Sequence, residues 1–217
     1  MPQLIENRTQ AGRDLAESLG EYMSQDNVIV LALPRGGVPV AYEIAKKLRV
    51  PLDLLLVRKL GTPGYAELAM GAIANGNIRV VNPEIINRYA VSQSELEAVE
   101  YHERLELNRR SERYRGLHPY PVLTNKVVII VDDGLATGAT MHAAIDAVKQ
   151  QNPKKIIAAI PVAPPDSVET LRGMVDEVIC PLQPRYLSSI GQWYADFSQV
   201  SDATVINLLN QAWSNES

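Results

Sequence analysis

The chain has 217 residues, with 21 Lys and Arg against 25 Asp and Glu and a formal net charge of −4. That length suits one domain with a sizeable core, and the acidic balance argues against broad electrostatic binding of nucleic acid. The single cysteine, Cys180, excludes an internal disulfide and reads as a buried thiol, no Cys/His cluster has zinc spacing, and no run approaches a signal core or a membrane span. The expectation is a cytoplasmic protein that handles small polar ligands, with no nucleic-acid or membrane partner.

In chain order, Ala11, Leu15, Leu19 and Tyr22 recur at helical spacing, predicting a packing helix from Thr9 to Met23 with Thr9 as its cap. Val28 to Leu33 reads as a buried strand. Pro34, Arg35, Gly36 and Gly37 break it before a second helix, Val38 to Leu48; paired glycines permit unusual torsions and close approach of N–H groups to an anion, and Arg35 adds fixed charge. Leu52 to Val57 reads as the next strand, ending at Arg58 and Lys59. The glycine-rich segment Leu60 to Asn77 has little periodicity and reads as a mobile loop, with Tyr65 and Glu67 its only side chains of obvious polar chemistry. Ile78 to Val81 is a short strand pairing with Ala72 to Ala74, and Pro83 to Tyr89 a short helix. Ser94 to Arg115 is a long charged helix with a Ser92 to Glu95 capping box; Arg109, Arg110, Arg113 and Arg115 read as an ordinary basic helix end, and His102 as an exposed spectator.

Val127 to Val131 is a run of five β-branched residues, the signature of a strand buried on both faces in a parallel sheet. It stops on Asp132 and Asp133, and Gly134, Thr137, Gly138 and Thr140 lead into a helix, Met141 to Val148. Strand, glycine loop and helix make a nest of N–H groups at a helix N-terminus, where a phosphate is favoured by hydrogen bonds and by the helix dipole. Carboxylates beside a phosphate repel it unless something lies between. A ribose does so, its 2′ and 3′ hydroxyls donating to the acids while its 5′-phosphate reaches the nest and a divalent cation offsets the remaining charge.

These residues, V-V-I-I-V-D-D-G-L-A-T-G-A-T, resemble the phosphoribosyl pyrophosphate motif of the type I phosphoribosyltransferases. The resemblance implies that Asp132 and Asp133 hold the ribose hydroxyls and assist Mg2+, and that Ala136, Thr137, Gly138, Ala139 and Thr140 wrap the 5′-phosphate. It implies that Arg35, Gly36 and Gly37 form a pyrophosphate loop, and that the Leu60 to Asn77 segment closes over the reaction while Arg58 and Lys59 stabilise departing pyrophosphate. Two positions depart from the family pattern. Gly134 replaces an aliphatic residue, implying a more flexible loop. Ala136 stands where the hypoxanthine and guanine enzymes carry an aspartate, which disfavours 6-oxopurines; adenine enzymes also have alanine there. Those enzymes carry a loop glutamate whose position falls on Ala69 here, with Glu67 nearby.

Ile156 to Val162 and Glu177 to Cys180 read as further strands flanking a helix, Pro165 to Met174, and a last helix runs from Asp202 to Trp213. The expected fold is therefore α/β, a doubly wound parallel sheet in a single domain. Its core spans about 28–180, and a small hood spans about 181–217 together with the N-terminal helix. By resemblance the hood covers the sugar site, and Trp193, Tyr194 or Phe197 either stacks on the acceptor or packs the core. The expected function is Mg2+-dependent transfer from phosphoribosyl pyrophosphate to a nitrogenous base. The alternative is a non-catalytic regulator that senses phosphoribosyl pyrophosphate or a nucleotide, and Rossmann-type cofactor binding is disfavoured because Gly-x-Gly-x-x-Gly is absent. A homodimer is among the assemblies the sequence allows.

Overall fold

The structure, a computed structural model, describes residues 4–214. The expected hood runs to residue 217, so its last three residues lie outside the described ones. Five parallel strands form the central sheet in the order β2-β1-β6-β7-β8: β1 is Val28–Ala32, β2 Leu52–Leu54, β6 Val127–Val131, β7 Lys155–Ala159 and β8 Glu177–Ile179. Strand alternation sends successive residues to opposite faces. Val28, Val30 and Ala32 pack into one apolar layer with α1 (Arg8–Ser18), α2 (Gly37–Leu48) and α7 (Asp202–Ser214), through Leu15, Ile44 and Leu209. Ile29 and Leu31 pack into the other with α5 (Ala139–Lys149) and α6 (Pro165–Arg172), through Ile145 and Leu171. Both faces are covered, which is why these strands read as unbroken apolar runs.

The strand order reverses between β1 and β6: the chain leaves β1 for β2 on one side and leaves β6 for β7 and β8 on the other. Loops at the carboxyl ends of two such strands diverge and leave a crevice between them. Both glycine loops open there.

Three expectations need correcting. The first helix begins at Arg8, capped by Asn7, whose side chain accepts from the Gln10 N–H at 2.9 Å; Thr9 lies inside the helix. The run Leu52 to Val57 is two strands, because the Asn75 side chain accepts the Leu56 N–H at 3.1 Å where the chain leaves the central sheet. The segment expected as a mobile loop is a second, antiparallel sheet of β3 (Val57–Thr62), β4 (Tyr65–Ala74) and β5 (Ile78–Val81). Arg58 and Lys59 therefore sit within β3, not at a strand end. The expected pairing of Ile78 to Val81 with Ala72 to Ala74 is present.

The short helix α3 (Pro83–Arg88) and the long helix α4 (Gln93–Arg115) follow, with both halves of the Ser92 and Glu95 capping box formed. Cys180 is buried, and burial pushes its thiol up to about 11. No helix among the described residues is long and apolar enough to cross a membrane.

Candidate functional site

The two glycine loops are in direct contact. The Leu33 N–H donates to the Val131 carbonyl at 2.9 Å, carrying the strand pairing one residue into the loop. Gly36 then passes so close to Asp133 that an added Cβ would stand 2.0 Å from its Oδ2. Gly36 itself has ordinary helical torsions, φ −59 and ψ −36, so the site needs glycine there for proximity and not for torsional freedom. The peptide between Pro34 and Arg35 is cis.

On the β6 side, Gly138 has φ +78 and stands at the N-cap of α5, where it offers no side chain to the first-turn N–H groups. Ala136, Thr137, Ala139 and Thr140 are exposed around it. The loop is anchored from behind: the Leu135 N–H donates to the Val162 carbonyl at 2.9 Å, and Ser167 Oγ donates to the Ala136 carbonyl at 3.3 Å. Open amides at the N-terminus of a helix with a fixed base are a suitable anion receptor. The flexibility expected from Gly134 is not what the glycine provides. A Cβ there would come 2.4 Å from Cγ2 of Ile190, so its role is to let the 181–197 segment close on the loop.

The two acids behave differently. Asp133 is buried, and its Oδ2 accepts from Arg8 Nε at 2.8 Å and pairs with a second Arg8 nitrogen at 2.7 Å. Its carbonyl accepts from the Tyr194 hydroxyl at 2.6 Å, and its N–H donates to Asp132 Oδ1 at 2.8 Å. Asp133 is thus a junction between the β6 loop, α1 and the segment after β8. Among the described residues Asp132 forms no ion pair, and burial together with the Asp133 charge holds its pKa well above the ordinary carboxylate value, with Arg8 lowering it only in part. Among the described residues no group of three or more His, Cys, Asp or Glu could by itself hold a metal ion.

Facing the loops, a cavity of about 690 Å³ is lined by Pro34, Arg58, Lys59, Glu67, Ala139 and Thr140, among others. Arg58 pairs with Glu103 of α4 at 2.6 Å, and Lys59 pairs with Glu67 at 2.9 Å. Hydrogen bonding and charge from Lys59 hold the exposed Glu67 carboxyl below its ordinary value. The structure thus gathers the hairpin bases, the start of α5 and Pro34 on one cavity. Arg35 points to a neighbouring concavity, and Trp193, Tyr194 and Phe197 line neither.

Those aromatics are largely committed to packing. Tyr194 is 5 % exposed and its ring centroid lies 5.0 Å from that of Phe197, whose face is covered by the Arg8 guanidinium at 3.9 Å. Trp193 is partly buried against the core. Arg8, Glu103 and Ile190 were not found by sequence reasoning. Each acts across a large sequence separation, 125 residues for Arg8 and Asp133, and no local pattern marks such a partner.

Comparison with known proteins bears on this arrangement. The model of a family described as Phosphoribosyl transferase domain matches residues 3–187. Two Mycobacterium tuberculosis proteins, provisionally named phosphoribosyl transferase MT0597 and Rv0571c, are each 43% identical over 209 residues, covering 96% of this chain and 47% of theirs. The chain therefore spans about half the length of the curated relatives it matches. The crystal structure of TT1426 from Thermus thermophilus superposes with a TM-score of 0.88 at 40% identity, covering 96% of this chain and 98% of that one.

Proposed function

Since the chain belongs to the phosphoribosyl transferase domain family, we propose that it transfers the ribose 5-phosphate of phosphoribosyl pyrophosphate to a nitrogenous base and releases pyrophosphate. The observation that carries this reading is that the loops after β1 and β6 meet at the switch point, Gly36 against Asp133, while Pro34, Arg58, Lys59, Ala139 and Thr140 line one cavity beside them. The 5′-phosphate sits in the nest. Asp132 accepts from the ribose hydroxyls directly, and Asp133 does so while sharing its carboxylate with Arg8. A nucleophilic nitrogen attacks C1 as the bond to pyrophosphate breaks, through an oxocarbenium-like transition state, so the protein positions and stabilises charge without forming a covalent intermediate. Arg58 and Lys59 stabilise the leaving group once they exchange Glu103 and Glu67 for it, while Arg35, Gly36 and Gly37 border its path.

The acid pair suits Mg2+, which takes one or two carboxylates and fills its remaining positions with substrate oxygens and water. Among the described residues Asp132 forms no ion pair, and burial and the Asp133 charge raise its pKa despite the nearby Arg8, a balance that a bound cation would relieve. Asp132, with Asp133 second, would hold the ion directly or through ribose hydroxyls, and the ion supplies charge neutralisation at the diphosphate. The chain acts in this reading as a single domain with a core of about 28–180, and residues 181–217 with the N-terminal helix form the acceptor side. Trp193 lacks the Arg8 contact that covers Phe197 and is less buried than Tyr194, so of these three it is the one proposed to meet the acceptor. Ala136 offers no proton acceptor, and Glu67, held ionised by Lys59, is the nearest carboxylate in the hairpin. Adenine-like acceptors are therefore favoured over 6-oxopurines.

The test is pyrophosphate release from phosphoribosyl pyrophosphate with Mg2+ and a panel of bases. Rapid turnover of hypoxanthine or guanine would refute the Ala136 argument. Thr137→Glu should abolish binding of phosphoribosyl pyrophosphate in calorimetry, and unchanged affinity would sink the nest assignment. A second reading, a non-catalytic sensor of the same ligand, is favoured by the closed pairs at Arg58, Lys59 and Asp133. Tight binding with no turnover of any base selects it.

A further inference from the structure

The arginines at the end of α4 are not only a solvated helix terminus. Arg109, Arg110 and Arg113 converge with Arg35, from the Pro34 to Gly37 loop, on a second cavity of about 320 Å³. That is the lower end of the range of ligand pockets, about 300–1,000 Å³. The cavity adjoins the larger one: Pro34 and Arg110 line both.

Its charge is unbalanced. Glu106 is shared by Arg109 and Arg110 at 2.8 and 2.7 Å, and Asp202 is shared by Arg113 at 2.7 Å and, more distantly, Arg35 at 3.7 Å. Hydrogen bonds from Arg109 and Arg110 hold the Glu106 carboxyl down at about 2, so it counts as a full negative charge at neutral pH. Four guanidinium groups against two carboxylates leave two positive charges in a chain whose net charge is −4. Each guanidinium carries five N–H donors, more than a shared carboxylate can occupy, and planar guanidinium forks match phosphate oxygens bidentately. A helix end alone explains cations near its carbonyls. It does not explain why a loop some 75 residues away brings a fourth arginine to the same concavity.

We propose that Arg35, Arg109, Arg110 and Arg113 form a second anion subsite, separate from the 5′-phosphate nest, that takes a polyphosphate group. The group arrives either as free inorganic polyphosphate or as the phosphate tail of a nucleotide. Arg35 is shared with the loop that borders the leaving group's path, but the three α4 arginines go beyond the transfer reaction, and the subsite stands whether or not that reaction occurs. Because Pro34 and Arg110 are shared walls, a polyphosphate bound there lies against the cavity that holds Arg58 and Lys59.

The test is calorimetric titration of inorganic tripolyphosphate into the full chain at low and physiological salt. Arg109→Gln with Arg113→Gln should weaken binding at least tenfold. Thr137→Glu, in the nest, and the charge-matched control Lys149→Gln with Lys154→Gln, at the amino ends of the central strands, should each change it less than threefold. Arg113 also pairs with Asp202, so the single variant Arg109→Gln, which removes an exposed side chain, guards against misfolding and should weaken binding at least threefold. Undiminished affinity in both arginine variants, or equal loss in the lysine control, overturns the subsite. ATP binding to the Thr137→Glu chain distinguishes the sources: affinity tenfold above that of tripolyphosphate assigns the nucleotide, and equal affinity assigns the free polyphosphate. Phosphoribosyl pyrophosphate is titrated in parallel. Its failure to bind the unmodified chain defeats the proposed function and leaves the tripolyphosphate result standing.

Discussion

Asp132 and Asp133 are adjacent in sequence but not equivalent in energy. Arg8 neutralises Asp133, whereas Asp132 is left with burial and a like charge beside it, and its pKa is raised. An acid whose folded pKa lies above its unfolded value takes up a proton on folding. Its contribution to stability is therefore fully present below the unfolded value, about 3.9, and is lost as pH rises through the folded value. Asn at this position keeps the acceptor for the Asp133 N–H and removes the charge. Asp132→Asn should raise the melting temperature at pH 7.5, by about 1 kcal/mol of stability, with the difference closing toward pH 4. The same variant should weaken ribosyl ligands by about 1.5 to 3 kcal/mol, the worth of a charged hydrogen bond. Thermal melts across pH with parallel ligand titrations check both, and a stability loss at pH 7.5 would falsify the account of Asp132 as an uncompensated charge.

At the scale of elements, α4 is the support for the hairpin sheet. Arg104 donates to the Ala74 and Ile78 carbonyls at 3.0 and 3.3 Å and pairs with Glu100 at 2.9 Å, while Arg79 pairs with Glu100 and Arg58 with Glu103. The charged face of α4 is in large part a docking face. Arg104→Ala should deprive two carbonyls of a donor, at a cost of about 1 to 3 kcal/mol. The effect should be local: amide exchange should quicken from Ala72 to Ile78 and stay unchanged in β1 and β6. Uniform protection of the hairpin in that variant would show that its own strand pairing holds it in place. The hairpin escaped sequence reading because its glycines look like loop residues. Gly61 and Gly71 instead sit where backbones nearly touch, an added Cβ falling 2.7 Å from the Ala66 carbonyl oxygen and 2.4 Å from that of Val80.

Across the whole molecule, one buried node joins the edge strand, the end of α4 and the last helix. Arg115 binds both Asp53 oxygens and the Pro119 carbonyl, and its guanidinium lies 4.2 Å from the Tyr120 ring centroid. Trp213 donates to the Leu52 carbonyl at 3.0 Å and stacks on His118 at 3.9 Å. Desolvation outweighs the guanidinium and leaves the Asp53 pKa above its ordinary value, so the pair is held at a cost. Arg115→Met, which strands the aspartate, should destabilise by about 3 to 5 kcal/mol in urea unfolding. Adding Asp53→Leu should recover most of that loss. A single variant as stable as the parent would mean that Asp53 is neutral in the fold.

The features legible in the sequence are those whose physics is local. Five β-branched residues, two acids and T-G-x-T lie within the one window Val127 to Thr140, so burial on both faces, strand ending and the helix that follows are all readable from it. The Ser92 to Glu95 box and the pairing of β5 with β4 are readable for the same reason. Which acid is paired with a cation emerges only in three dimensions, because Arg8 reaches Asp133 from α1. The same holds for Gly134, which is glycine because Ile190 arrives from the segment after β8, and for the basic helix end, which becomes a cavity when the fold brings up Arg35. Such pairings depend on where the chain returns in space, and side chains distant in sequence carry no periodic or turn signal of their meeting.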